Sequence, residues 1–107
     1  MSEYSPDNWV VLKITTPEDG VYRKILAGWS GSYLYGQSWK LSSAIENEKE
    51  TDTHIIFDNA SGSRYSCYKS CYGLSAYTSG IYQNFIDGAK GSGVLVEIDE
   101  EISKRFK

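Results

Sequence analysis

A thiol or hydroxyl nucleophile needs a proton acceptor beside it, and this chain offers a single histidine, His54, and two cysteines, Cys67 and Cys71. His54 heads an apolar run and Cys67 lies in the next strand-like run, so the two would have to meet across a hairpin. With the turn centred between Ser61 and Gly62, His54 opposes Lys69 and Ile56 opposes Cys67, which is packing rather than a catalytic pair. No catalytic residue is assigned, and the chain reads as non-enzymatic. Two thiols and one imidazole fall short of the four ligands of a structural zinc site, so neither a metal nor a cofactor is expected. Four residues apart in a strand, the cysteines have Cα atoms about 13 Å apart, beyond disulfide reach, and free thiols are expected.

Aromatic side chains are the feature that stands out. The chain has nine Tyr and three Trp, and many lie beside Gly and Ser. Trp29, Tyr33, Tyr35 and Trp39 surround the tract Ser30-Gly31-Ser32, and Tyr65 follows Ser61-Gly62-Ser63. Tyr and Trp present large rigid faces with a polar handle, which suits a partner surface or a base. Gly28, Gly31 and Gly36 keep the first tract from packing as a regular strand, so its aromatics have fewer core positions to fill. The candidate binding surface is therefore Trp29, Tyr33, Tyr35, Trp39, Lys40, Arg64 and Tyr65, with at least two of the first four aromatics exposed around one concavity. Against this stands the ordinary use of Tyr and Trp in β-protein cores. Backbone amides in the Gly/Ser tracts could cradle an anion, but neither tract matches a P-loop or a dinucleotide fingerprint. Carboxylates cluster at residues 46–52 and 97–101, a pattern that ordinarily marks a solvated face.

The elements that would position these residues are mostly strands. Trp9-Val10-Val11-Leu12-Lys13-Ile14 is a β-branched run that ends at Pro17-Glu18-Asp19-Gly20, a turn signal, and residues 21–29 return as the second strand of a hairpin. Residues 30–38 read as a loop or irregular strand, residues 39–45 as a third strand, and the acidic stretch 46–52 as a turn. Residues 54–58 and 64–72 form a second hairpin around the turn 59–63. Helical periodicity first appears after Gly73, where Ile81, Tyr82, Phe85 and Ile86 make one stripe on a helix of about ten residues, capped by Ser75 or Thr78. Residues 94–99 form a last strand.

The expected class is α+β, mostly β: a curled antiparallel sheet or partly open small barrel of about six strands, with one helix before the last strand. Residues 1–7 read as an N-terminal lead, 8–99 as a single β-rich domain and 100–107 as a C-terminal tail. At 107 residues the chain has room for one core without disulfide staples. Its net charge of −3 argues against wrapping duplex nucleic acid, which requires a concentrated basic face. No apolar run approaches the roughly 18 residues needed to cross a bilayer, and residues 1–5 lack a signal-peptide pattern, so no membrane role is expected.

The run Asn8-Trp9-Val10-Val11-Leu12-Lys13-Ile14, then Ala27-Gly28-Trp29-Ser30-Gly31-Ser32-Tyr33, Ser38-Trp39-Lys40-Leu41, and Ser61-Gly62-Ser63 before Tyr65 and Tyr72-Gly73, resembles small uncharacterised accessory proteins of T-even-type tailed bacteriophages. The similarity spans about residues 8–73 and brings no assigned chemistry with it. What it implies is a setting: a protein made during infection, acting in the host cytoplasm, of the size class that binds and blocks a host component. The expected function is a non-enzymatic binding protein that inhibits or redirects a host protein, in host takeover or counter-defence. The alternative is a binder of a nucleotide or short single-stranded nucleic acid through Tyr/Trp stacking and the Gly/Ser loops. The oligomeric state is left open by the sequence.

Overall fold

In the computed structural model, residues 3–31 and 36–106 are described, and they form three layers. β2 (Asn8–Thr16) and β3 (Gly20–Trp29) make the long hairpin that the turn signal predicts. Gly20 supplies the positive φ at its tip, and the Thr16 hydroxyl accepts from the Asp19 amide at 2.9 Å. β4 (Ser38–Leu41) pairs with β3, and β8 (Leu95–Ile98) pairs with β2, giving the first sheet the order β4-β3-β2-β8. The second sheet has the order β1-β7-β6-β5, from β1 (Glu3–Tyr4), β5 (Ile45–Glu50), β6 (His54–Asn59) and β7 (Arg64–Tyr68). Among the described residues its one parallel pairing is β1 with β7. Neither sheet closes on itself. The α+β, mostly β class holds, with eight strands among the described residues where the sequence suggests about six.

The first sheet is apolar on both faces because it is the middle layer. Trp9, Val11, Ile25 and Ala27 point to the second sheet and meet Ile55, Phe57, Tyr65 and Cys67. Val10, Leu12, Ile14 and Leu26 point the other way, to Ile81, Tyr82 and Phe85 of helix α1 (Ala76–Ala89). Two-sided burial explains the unbroken run Val10-Val11-Leu12, which a half-buried strand would interrupt with polar residues. Helix α1 starts where its cap permits: the Ser75 hydroxyl accepts from the Thr78 amide at 3.1 Å, and the Thr78 hydroxyl accepts from the Ser75 amide at 2.9 Å. The Thr78 hydroxyl also lies 3.1 Å from Asn8 Oδ1, tying the helix start to β2. Gly28 lies beneath this junction, where a β-carbon would stand 2.6 Å from both Asn8 Oδ1 and Thr78 Cγ2.

Four local expectations are corrected. The acidic stretch read as a turn contains β5, an edge strand whose charges suit a sheet margin. The second hairpin pairs His54 with Tyr68 and Ile55 with Cys67, one residue from the expected register. That register turns Ile55, Phe57, Tyr65 and Cys67 inward and leaves His54 and Ile56 outside. The strand expected to run to residue 72 ends at Tyr68, and Lys69–Cys71 form a 3₁₀ turn that brings Tyr72 against Trp9. Residues read as a tail carry a second helix, α2 (Glu100–Lys104), with Ile102 buried between the sheets and the Phe106 ring stacked on Tyr72 at 4.4 Å.

Candidate functional site

The pleat separates the residues proposed from the sequence. Trp29 points toward the second sheet, half-buried, its ring centre 6.2 Å from that of Tyr4 in an edge-on arrangement and its indole N–H donating to the Ser5 carbonyl at 3.1 Å. Lys40 is on the same face, its ammonium 5.2 Å from the Tyr4 ring centre. Tyr65 belongs to the core beneath, 1% exposed and 4.9 Å from Tyr4, and burial pushes its phenol up to about 12. Trp39 pairs with Gly28 and so faces the helix layer, against Phe85 at 5.5 Å, 40% exposed. Arg64 lies on the outer face of the second sheet in a two-pronged pair with Asp58, at 2.7 and 3.3 Å. Trp29, Lys40 and Tyr65 thus gather around Tyr4, whereas Trp39 and Arg64 sit on two other faces. Tyr33 and Tyr35 lie outside the described residues.

Other sequence candidates are similarly dispersed. Cys67 is fully buried on the inner face, where desolvation and then the neighbouring Cys71 push its thiol upward. His54 is on the opposite face of the same sheet, its ring 4.0 Å from Tyr68 and its Nδ1 2.7 Å from the Thr53 hydroxyl. Both cysteines are free thiols. In the Ser61-Gly62-Ser63 turn, the Ser61 amide donates to Ser43 Oγ at 3.1 Å and the Gly62 amide to the Asn59 carbonyl at 2.9 Å. Those two N–H groups are engaged inside the fold rather than aimed at a ligand.

A different concavity emerges at the far end of the first sheet. The inward parity of β2, β3 and β8 continues past the edge of the second sheet, and its rows change character there. Val11 and Ile25 are core; the next row across the three strands is Arg23–Lys13–Glu97, and the last is Val21–Thr15–Leu95. Val21 is 57% and Leu95 54% exposed, on a face that is the hydrophobic core a few residues away. Helix α2 forms one wall, and the groove of about 520 Å³ is lined by Lys13, Val21, Arg23, Glu97 and residues 98–101 and 104. That volume is within the range of ordinary ligand sites, although the polar lining is heavier than in most.

Ion pairs hold this wall in place. Asp99, at the start of α2, accepts from the Glu101 amide at 3.0 Å through one oxygen and from Arg23 at 3.2 Å through the other. Arg23 also reaches Glu48 at 3.3 Å, Arg105 bridges Glu48 and Glu50 at 2.9 and 3.3 Å, and Lys69 meets Glu50 at 2.8 Å. Lys69, followed by Arg105, holds the Glu50 carboxyl below its usual range. The chain of alternating charges runs from the start of α2 through β3 and β5 to the residue that ends α2, and by way of β5 to the 3₁₀ turn, so the two sheets and the wall are fastened together around the groove. Among the described residues, no group of three His, Cys, Asp or Glu side chains converges to hold a metal ion.

Of the residues around this groove, the sequence singles out only the cluster 97–101. Its neighbours carried a legible signal: along one parity of β2 and β3, Val11 and Ile25 give way to Lys13 and Arg23, which is how a sheet outrunning its cover reads. Among the described residues, no helix is long and apolar enough to cross a membrane. Compared with protein-family models, curated proteins and solved structures, the chain matches none.

Proposed function

We propose that this is a non-enzymatic protein that works by stoichiometric capture of a partner protein, with the uncovered end of the first sheet as its contact surface. The observation that carries the reading is the pair Val21 and Leu95, two large apolar side chains more than half exposed on either side of Thr15. Exposed apolar side chains grouped on a rigid concave face, rimmed by charge, are the usual signature of an interaction site. The sheet beneath is fixed by burial on its other face and by the ion pairs at the wall, so little ordering cost accompanies binding. The resemblance to T-even phage accessory proteins supplies the setting: the partner is a host protein, and capture inhibits or redirects it in the host cytoplasm.

The test is selection from a random-peptide display library on the native protein, with counter-selection on the double variant Val21→Ser, Leu95→Ser. Sequences that bind the native protein and not the variant are the expected outcome, with saturation at one site per chain by calorimetry. If every enriched sequence binds both proteins equally, this surface is not the contact and the reading fails. Conversion of a substrate many times over by a trace of the protein would overturn the stoichiometric part.

A further inference from the structure

The charges around the groove are not balanced. Glu18 and Asp19 occupy the tip of the β2–β3 hairpin, just beyond the Val21–Thr15 pair, and Glu97, Glu100 and Glu101 stand at the other end. Lys13 and Lys104 are the cations among them besides Arg23, which is taken up by Asp99 and Glu48. Of the chain's 14 acidic and 11 basic side chains, these five and two leave the remainder at nine of each, so the whole net charge of −3 is concentrated around one surface. Asp99 and Glu48, by contrast, are taken up by Arg23 and Arg105. The unbalanced carboxylates are spread along the sheet: from the hairpin tip to the start of α2 the strands advance about five residues, roughly 17 Å. An array of that length does not chelate one ion. It matches a chain.

We infer that the groove takes an extended, basic segment of a protein partner, with an apolar side chain seated between Val21 and Leu95 and lysines or arginines meeting the carboxylates at both ends. This rests on the partner-capture reading and adds the chemistry of the partner. Alternate side chains of an extended segment point the same way about 7 Å apart, close to the spacing between the apolar row and the charged row of the floor. A second copy of this chain is disfavoured as occupant because it brings the same negative surface, and like charges across an interface are repelled. Positive charge on the partner also speeds encounter, since a one-signed surface steers an opposite one at low salt.

The test uses isotope-labelled full-length protein and three synthetic octapeptides: Lys-Ser-Leu-Ser repeated twice, which puts Lys and Leu on one side of an extended chain, the same peptide with Glu for Lys, and the same with Ser for Leu. The expected result is that the first peptide shifts the amide resonances of residues 13–21 and 95–101 and binds at least tenfold more tightly than either control. Glu100→Gln with Glu101→Gln, and separately Glu18→Gln with Asp19→Asn, should each weaken it at least threefold, and raising the salt from 50 to 500 mM should weaken it further. Equal binding by the Glu peptide, equal binding by the peptide lacking Leu, shifts confined to another face, or no binding would each overturn the inference. Acidic or uncharged sequences that depend on Val21 and Leu95 in the display selection would overturn the basic occupant while leaving partner capture standing.

Discussion

Arg23 and Asp99 meet at 3.2 Å across 76 positions of sequence, and through that contact the N-terminus of α2 is bound to the middle of the β2–β3 hairpin. The Asp99 side chain is only 9% exposed, and its second oxygen caps the helix by accepting from the Glu101 amide. Asp99→Ala removes a cap and a nearly buried partner of a cation together, and should destabilise the protein by about 1–3 kcal/mol. Urea denaturation measures this; Asp99→Asn, which keeps an acceptor, should lose less. A midpoint unchanged in Asp99→Ala would mean that the wall of the groove is held by Ile102 alone.

Acid should weaken the fold from the carboxylate side. Lys69 and Arg105 hold Glu50 below the usual range, and Arg64 does the same to Asp58. A carboxyl whose folded value lies below its unfolded value contributes stability that is fully present above the unfolded value and is lost as pH falls through the folded one. Stability should therefore be level near neutrality and decline from about pH 4.5 downward. Lys69→Met should flatten part of that decline. The measurement is the urea midpoint from pH 7 to pH 2.5, and a loss of stability beginning above pH 6 would contradict it.

Gly28→Ala should be costly for a reason unrelated to backbone freedom. The new methyl would stand 2.6 Å from Asn8 Oδ1 and from Thr78 Cγ2, so the start of α1 must move off β2. Overpacking of this kind costs about 1–3 kcal/mol. Thr78→Ser in the same chain removes one of the two colliding atoms and keeps the hydroxyl of the capping box, and should recover part of the loss. Thermal denaturation of the single and double variants decides it.

Tyr65→Phe should have the opposite sign. The Tyr65 hydroxyl is buried with no hydrogen-bond partner among the described residues, and such a group costs about 1–3 kcal/mol of desolvation. Deleting the oxygen should leave stability unchanged or raise it by up to about 1 kcal/mol, while Tyr65→Leu should lower it through lost contact with Tyr4 and Phe57. A Phe variant less stable than the parent would show that the hydroxyl is satisfied by solvent reaching between the sheets.

What could be read from the sequence was the part that local chemistry decides. Pro17 to Gly20 fixes a hairpin, and Ile81, Tyr82 and Phe85 fix the buried side of α1. β5 was hidden because Glu46, Glu48 and Glu50 are poor strand formers in isolation; their place comes from the sheet edge and from Arg23 and Arg105. Helix α2 has five residues, too few to show a period, and its position depends on Ile102 reaching the core. The candidate site was least legible of all. Trp29 and Trp39 are close in sequence but the pleat puts them on opposite faces, and Val21 and Leu95 become neighbours of one strand only through the β2–β3 and β2–β8 pairings.

The place of β2 between β3 and β8 has a bearing on how the molecule is made. β3 follows β2 at once, but the strand on its other side is the last one, since Leu12 pairs with Ile98. At ribosomal speeds of roughly 5–20 residues per second, β2 is synthesised about 4–17 s before its second partner exists. During that interval one margin of an apolar strand is open to pairing with any extended chain nearby. A nascent chain should therefore be open to mispairing along this strand until residues 95–98 have emerged, and truncations that remove them should leave an aggregation-prone sheet edge.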